Sequence, residues 1–466
     1  MVMHRCSIVN SFTFRLIGAL LVVFVVSATS HAQVPRLQGQ GSAATGQANA
    51  FSAQADDASA LYYNPAGMTQ LDGVQFMSGS YFIGGSTNFT SSTTGVNVTG
   101  DRGGNVAWPP PTHAYLTMRL KDRGINLFGD TTVGVGVTVP FGVLTRYPAN
   151  GPFRTAAIFA TNPLMDIKPT VAYKLNEYLS FGVGADIYTY SDLFGEGHVE
   201  QKTNCATTCA ALGLPANSNL ELYGKDTAAG FNVSMLYTPL RNADGKPIAN
   251  IGLVYRSQAT LHLSGAFTAN GAKVSDAEAT FVLPQIYTAA IGIWPVRDPE
   301  REWKLEMDVD ITGWKSVRNL DVHLASGSTI PQPTKWNNAY TIMIGTEHKW
   351  LKLDQMPGWE VALRGGFMTQ QNQIPDATFN PSIPSSNTYL PSIGFGFLCK
   401  ENGSFLGIKC SEALGLVTTK SIGVDFSYQA VFYEQRTIGA DNPNPTVRGV
   451  YSTLAHSGGV TFQFRF

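Results

Sequence analysis

Trp303-Lys304-Leu305-Glu306-Met307-Asp308-Val309-Asp310-Ile311 is apolar at every odd position and charged at every even one. A strand turns successive side chains to opposite faces, so this stretch makes a ribbon with one oily and one charged side. A soluble sandwich and a membrane barrel both accept such a ribbon. Composition separates them: charged residues are 14% of the chain, against roughly 25% in an ordinary soluble protein. Four consecutive inward charges therefore fit a wet lumen better than the solvated outer face of a lightly charged soluble domain.

The same alternation recurs in Phe181-Gly182-Val183-Gly184-Ala185-Asp186-Ile187, in Val361 to Phe367, in Ile422 to Tyr428, and in Val460-Thr461-Phe462-Gln463-Phe464-Arg465-Phe466 at the chain end. A last strand closing on Phe is typical of bacterial outer-membrane barrels. Marked by this criterion, strands are expected near 73–87, 110–121, 131–147, 155–175, 179–195, 225–239, 250–267, 278–294, 301–324, 335–351, 359–373, 389–399, 418–438 and 448–466. That is an even number, fourteen, as a single-chain barrel requires. With the last strand descending to the periplasm, the periplasmic connections should be short, and 175–178, 297–300 and 353–358 are; the exception is the connection holding Cys399 and Cys410, long for a turn. The long polar loops fall on the other parity, around 195–225, 370–389 and 439–448. The expected fold is all-β: a 14-stranded antiparallel transmembrane barrel over 73–466.

Residues 1–32 read as a secretory signal: basic His4, Arg5 and Arg15, an apolar run from Leu16 to Val26, and a small-residue exit at Ser30-His31-Ala32. The run is about 11 residues, short of the ~20 that span a bilayer as a helix. Cys6 leaves with this segment, and four cysteines remain in two local pairs, Cys205/Cys209 and Cys399/Cys410. In an oxidising compartment these are disulfide candidates; a metal site is the weaker reading, since no histidine lies close to either pair. A net charge of -1 gives no case for a nucleic-acid partner. No serine sits in a nucleophile elbow, and the eight histidines are scattered, so no catalytic residue is assigned and no cofactor is expected.

Residues 33–72 break the alternation. Small side chains dominate from Gly39 to Ala66, with only Phe51, Leu61, Tyr62 and Tyr63 adding bulk. A free periplasmic extension would be more charged, so the segment is expected to plug the lumen. The run Gly41 to Ala48, followed by Asp56-Asp57-Ala58-Ser59-Ala60-Leu61-Tyr62-Tyr63-Asn64-Pro65-Ala66-Gly67-Met68, resembles the hatch of the FadL family of long-chain fatty acid and aromatic-hydrocarbon transporters. The resemblance extends in outline over Lys168 to Leu175 and Leu363 to Phe367, and not over the long outer loops.

This resemblance implies passive transport of hydrophobic small molecules through a plugged barrel, with release sideways at a defect in the third strand. It implies a monomer in contact with outer-membrane lipid and lipopolysaccharide, inserted by the barrel-assembly machinery. Asp56, Asp57, Asn64, Pro65, Ala66 and Gly67 become the hatch residues. In strand 131–147, Pro140, Phe141 and Gly142 are the expected kink, because proline cannot donate to the ladder. An acid-headed ligand would need a lumenal cation. Arg256 is the first candidate, with Gln258 and His262 beside it on the inward parity of strand 250–267, and Lys304 and Arg364 follow. The competing expectation is that each cation pairs with a lumenal acid such as Asp186, Glu306 or Asp308. The rival functions are a nonspecific porin, an outer-membrane lipid hydrolase and a surface adhesin.

Overall fold

A computed structural model of the chain describes residues 36–101, 110–126, 129–192, 197–205, 209, 213–383, 385–415 and 417–466; the expected signal segment 1–32 lies outside them. Fourteen strands form the wall. They are β1 Val74–Ser91, β2 Thr112–Arg119, β3 Thr131–Arg146, β4 Phe159–Lys174, β5 Leu179–Thr189, β6 Ala228–Arg241 and β7 Pro247–Arg256. The other seven are β8 Ile286–Arg297, β9 Arg301–Thr312, β10 Ala339–Trp350, β11 Trp359–Gln370, β12 Thr388–Lys400, β13 Ser421–Tyr433 and β14 Gly449–Arg465. Each pairs antiparallel with its neighbour in sequence. The ladder closes where β1 meets β14, from Gln75↔Arg465 to Ser91↔Gly449. The terminal Phe466 completes the seam, its N–H donating to the Val74 carbonyl at 2.9 Å. The ladder runs full circle, so the wall has no free outermost strand, and its backbone groups are largely satisfied away from water.

The outward parity is apolar and exposed: Val135, Val183, Leu253, Ile344, Leu363 and Phe395 among others. At the end with short turns it terminates in Tyr173, Tyr237, Trp303 and Trp350; at the loop end it terminates in Tyr287, Tyr340, Tyr389 and Phe432. Two aromatic girdles bounding an aliphatic band are what a bilayer selects.

The wall strands are shorter at the loop end than the alternation alone suggests. Strand 250–267 stops at Arg256, where the Ser257 hydroxyl accepts the Phe231 N–H at 2.8 Å in place of a ladder partner. The break reverses the parity beyond it. Leu261, expected outside, is fully buried, while Gln258 and His262, expected in the lumen, are exposed. Residues 259–269 and 272–283 instead form a hairpin that stands on the barrel mouth, and the expected strand 278–294 divides between this hairpin and β8. The hairpin pairs with 219–225, which pairs with 199–204, which joins β4; on its other side it meets 322–324. A small projecting sheet therefore occupies much of what reads in the sequence as polar loop.

Candidate functional site

Residues 36–71 lie inside the wall and are almost wholly buried. They form two single turns, Ser42–Thr45 and Ala60–Tyr63, and a 3₁₀ turn, Pro65–Gln70. Turns this short leave many N–H groups without helical partners, and the wall supplies acceptors. The Asp308 carboxylate accepts from Phe51 and Ser52 N–H at 3.2 and 2.9 Å. Glu306 accepts from Ala53 at 2.7 Å and from Gln54 at 3.1 Å. Lys304 donates to the Ala50 carbonyl at 3.1 Å and to Glu306 at 2.8 Å, and Asp310 forms an ion pair with Arg36. The inward charges of β9 thus do not meet a wet lumen. All four are at most 3% exposed, and their partner is the plug.

Close approach is permitted by wall glycines. A Cβ at Gly182 would stand 2.5 Å from Ala66 N, one at Gly366 2.5 Å from Gln47 C, and one at Gly252 2.5 Å from Ser52 O. Gly182, Gly252 and Gly366 mark where plug backbone touches the wall.

The Asn-Pro-Ala element is a clamp. Asn64 Nδ2 donates to Ser52 O at 2.7 Å and to Met235 O of β6 at 3.3 Å, while its Oδ1 accepts from Ala66 N–H at 3.2 Å and caps the 3₁₀ turn. Pro65 sits at the first position of that turn, where a missing N–H costs nothing. Gly67 lies against Ala55, with room for no side chain. Asp57 accepts from Ser59 N–H and Oγ at 2.8 and 2.6 Å, capping the turn Ala60–Tyr63. Burial pushes its carboxyl up to about 6, with Asp56 and Asp425 adding to the rise. Burial alone would raise Asp56 too, but the Lys349 ammonium at 3.0 Å outweighs it and holds that carboxyl well below the usual range.

On the opposite side the contact is different. The β3–β4 ladder slips by one residue between Thr138 and Phe141, and the β2–β3 ladder ends at Ala114↔Val137. Val139, Pro140 and Phe141 turn inward and are buried. The plug takes over their hydrogen bonds. Leu37 N–H donates to Pro140 O at 2.9 Å, Gln40 Nε2 donates to Val139 O at 2.9 Å, and Val139 N–H donates to Gln40 Oε1 at 3.2 Å. Gly142 lies against Leu37, where a Cβ would be 2.9 Å from Leu37 Cδ1.

Above the plug, Tyr188, Phe141, Trp314 and Trp336 belong to one buried apolar cluster, with successive ring centroids 6.3, 6.2 and 5.7 Å apart. A cavity of about 170 Å³ opens between this cluster and the projecting sheet, lined among others by Gly142, Leu263, Phe281 and Val322. Arg256 donates to the Tyr62 carbonyl of the plug and lies 4.5 Å over the Tyr62 ring. Its Nε, and that of Arg36, has no hydrogen-bond partner among the described residues.

The three candidate cations therefore sit in two settings. Arg256 faces the plug's Tyr62 beneath the aromatic cluster. Lys304 pairs with Glu306, and Arg364 with Glu347 and Asp425, each at 2.6 Å. Arg36, Gln40 and the cluster tryptophans carry no local motif. Only Arg36 had a signal, its charge, since a chain this poor in charge keeps a buried cation only where something holds it. Both cysteine pairs, Cys205–Cys209 and Cys399–Cys410, are disulfides.

A closed lipid-facing wall, a plug bonded to its inner face and an apolar chamber above that plug define a gated barrel channel. Comparison with known proteins agrees. The family model described as outer membrane protein transport protein (OMPP1/FadL/TodX) matches residues 23–405, and the chain belongs to that family. Similar curated proteins include the long-chain fatty acid transport protein of Escherichia coli K12, 24% identical over 75% of this chain and 80% of its own length. Among solved structures, a Pseudomonas aeruginosa FadL homologue superposes with a TM-score of 0.70 at 16% identity, covering 94% of this chain and 100% of the other. The Pseudomonas putida toluene transporter TodX gives 0.63 at 14% identity, covering 92% and 99%. The protein is an outer-membrane β-barrel, closed within a single chain.

Proposed function

We propose that the protein carries hydrophobic molecules with an acidic head, of the long-chain fatty acid kind, across the outer membrane by passive diffusion. The observation that carries this reading is the pair of buried guanidinium groups, Arg36 and Arg256, each with an Nε–H left unpartnered among the described residues, in a barrel that also holds a buried aromatic cluster. A carboxylate is the acceptor such donors favour, and the apolar cluster accommodates a chain above it. Capture occurs in the cavity beside the projecting sheet. Release follows when Arg36 to Gln40 let go of the inward kink at Val139 to Phe141, which leaves a gap in the wall facing the bilayer. Residues 1–32 are the cleaved signal and 33–72 the hatch. Neutral aromatic hydrocarbons are the second cargo class, favoured by the ring cluster itself.

Uptake in a deletion strain complemented with Arg256→Gln decides between the two. Uptake of a long-chain fatty acid is expected to fall several-fold while toluene uptake and ion conductance stay at the wild-type level. Equal loss of both cargoes, or of neither, overturns the acid-head reading.

A further inference from the structure

Residues 401–415 and 417–420 belong to a long connection at the turn end, between β12 and β13. Within them Ser404–Phe405 and Ile408–Lys409 pair as a short hairpin. Its tip turns through Leu406 and Gly407, with φ of 50° and 83°. Phe405, Leu406 and Ile408 are 61%, 87% and 59% exposed, and Leu414 and Val417 are exposed nearby in sequence. So many large apolar side chains on one short loop call for an apolar neighbour.

The tethers of the hairpin say where that neighbour is. Cys399 has the outward parity of β12, shared with the exposed Phe395 and Phe397. Its disulfide to Cys410 therefore pins the loop on the lipid side of the wall. Trp359, opposite Cys399 in the ladder, also has the outward parity of its strand. Its indole N–H donates to Ser404 O at 3.0 Å, and its ring meets Phe405 edge-on at 6.1 Å. The loop crosses the rim at Gly403, where a Cβ would come within 2.7 Å of Cys399 Sγ and 2.9 Å of Gly358 O. Two tethers on one face hold the hairpin beside the barrel rather than beneath its bore.

We infer that this hairpin is a membrane-surface anchor, with Phe405, Leu406 and Ile408 immersed in the interfacial layer of the leaflet at the turn end. The partner is phospholipid. The apolar band of the wall runs down to the girdle that includes Trp303 and Trp350, and the hairpin continues that surface outward through Trp359. Its Ser404↔Lys409 pair keeps the opposite side polar, the division that an interfacial element needs.

The test places an NBD fluorophore at Leu406→Cys, in a Cys6→Ser background, on the full-length protein in phosphatidylethanolamine/phosphatidylglycerol nanodiscs. Asp244→Cys, in the exposed turn 242–246 at the same end, serves as the aqueous reference. The label at 406 is expected to emit to the blue of that at 244, to be bleached by dithionite several-fold more slowly, and to be quenched by lipids brominated on their acyl chains. Both substitutions lie on exposed turns away from the ladder, so neither should disturb the barrel. Equal bleaching at 406 and 244, without bromolipid quenching, overturns the anchor and leaves the hairpin as a surface for a water-soluble partner.

Discussion

The plug touches β9 and β3 through different chemistry. At β9, the acidic and basic side chains of Lys304, Glu306, Asp308 and Asp310 reach in and take five plug backbone groups and Arg36. At β3 the contact is three neutral hydrogen bonds between Leu37 or Gln40 and the backbone of Val139 and Pro140. Hydrogen bonds to charged groups contribute about 1.5–3 kcal/mol each, neutral ones about 0.5–1.5. One side is an anchor and the other a latch. The latch falls where the wall's own ladder is already irregular, so yielding there costs the fewest bonds.

Removing the anchor should have the largest effect. The double substitution Glu306→Ala/Asp308→Ala leaves four N–H groups of Phe51 to Gln54 buried without acceptors, at about 1–3 kcal/mol apiece. In planar bilayers the wild-type protein is expected to pass little current, and the variant a large steady one. Unchanged heat-modifiable migration would show that the barrel itself survives, because the wall ladder does not depend on these side chains. A variant as silent as wild type would remove the distinction between anchor and latch.

A smaller, local change is expected from Gln40→Ala. It frees the N–H and carbonyl of Val139, at about 1 kcal/mol each, and leaves every β9 contact in place. Hydrogen exchange should accelerate around 137–142 and not around 51–54, with conductance still low. Acceleration spread evenly over the plug would mean that the two sides yield together and that the kink is no latch.

Much of this was legible in the sequence because the bilayer imposes a two-residue period on every wall strand. The period placed the inward face of β9 correctly, although it ran the strand on to 324 where it ends at Thr312, and the parity of turns and loops supported the strand number. It failed at Arg256, because a hydroxyl replacing one ladder bond at Ser257 leaves no trace in hydropathy yet reverses every position after it. It also misjudged what the inward charges meet. Lys304 to Asp310 read the same whether the lumen holds water or backbone, since an unsatisfied N–H and a water molecule ask for the same acceptor. The plug's glycine contacts were hidden for the opposite reason: Gly182, Gly252 and Gly366 are defined by what lies against them, and a single sequence records no contact with a residue so far away along the chain.

The last effect is one of pH, and it belongs to the plug itself. Asp57 is buried beside Asp56 and Asp425, and its carboxyl stands at about 6 in the docked plug, against about 4 when exposed. The docked state therefore holds the proton more tightly. Docking is strongest below about 4, weakens as pH rises through the window to about 6, and is constant above it, a change of at most ~3 kcal/mol. Asp56 shifts the other way through Lys349, so its contribution is lost only in acid below this window and does not cancel the effect. Brief conductance openings of the wild-type protein should be rarer at pH 4.5 than at pH 7. Asp57→Asn keeps an oxygen to accept the Ser59 N–H but carries no charge, so its openings should be equally rare at both. A pH difference that persists in the variant would assign the sensitivity to the wall, and openings more frequent in acid would reverse the sign argued for the plug.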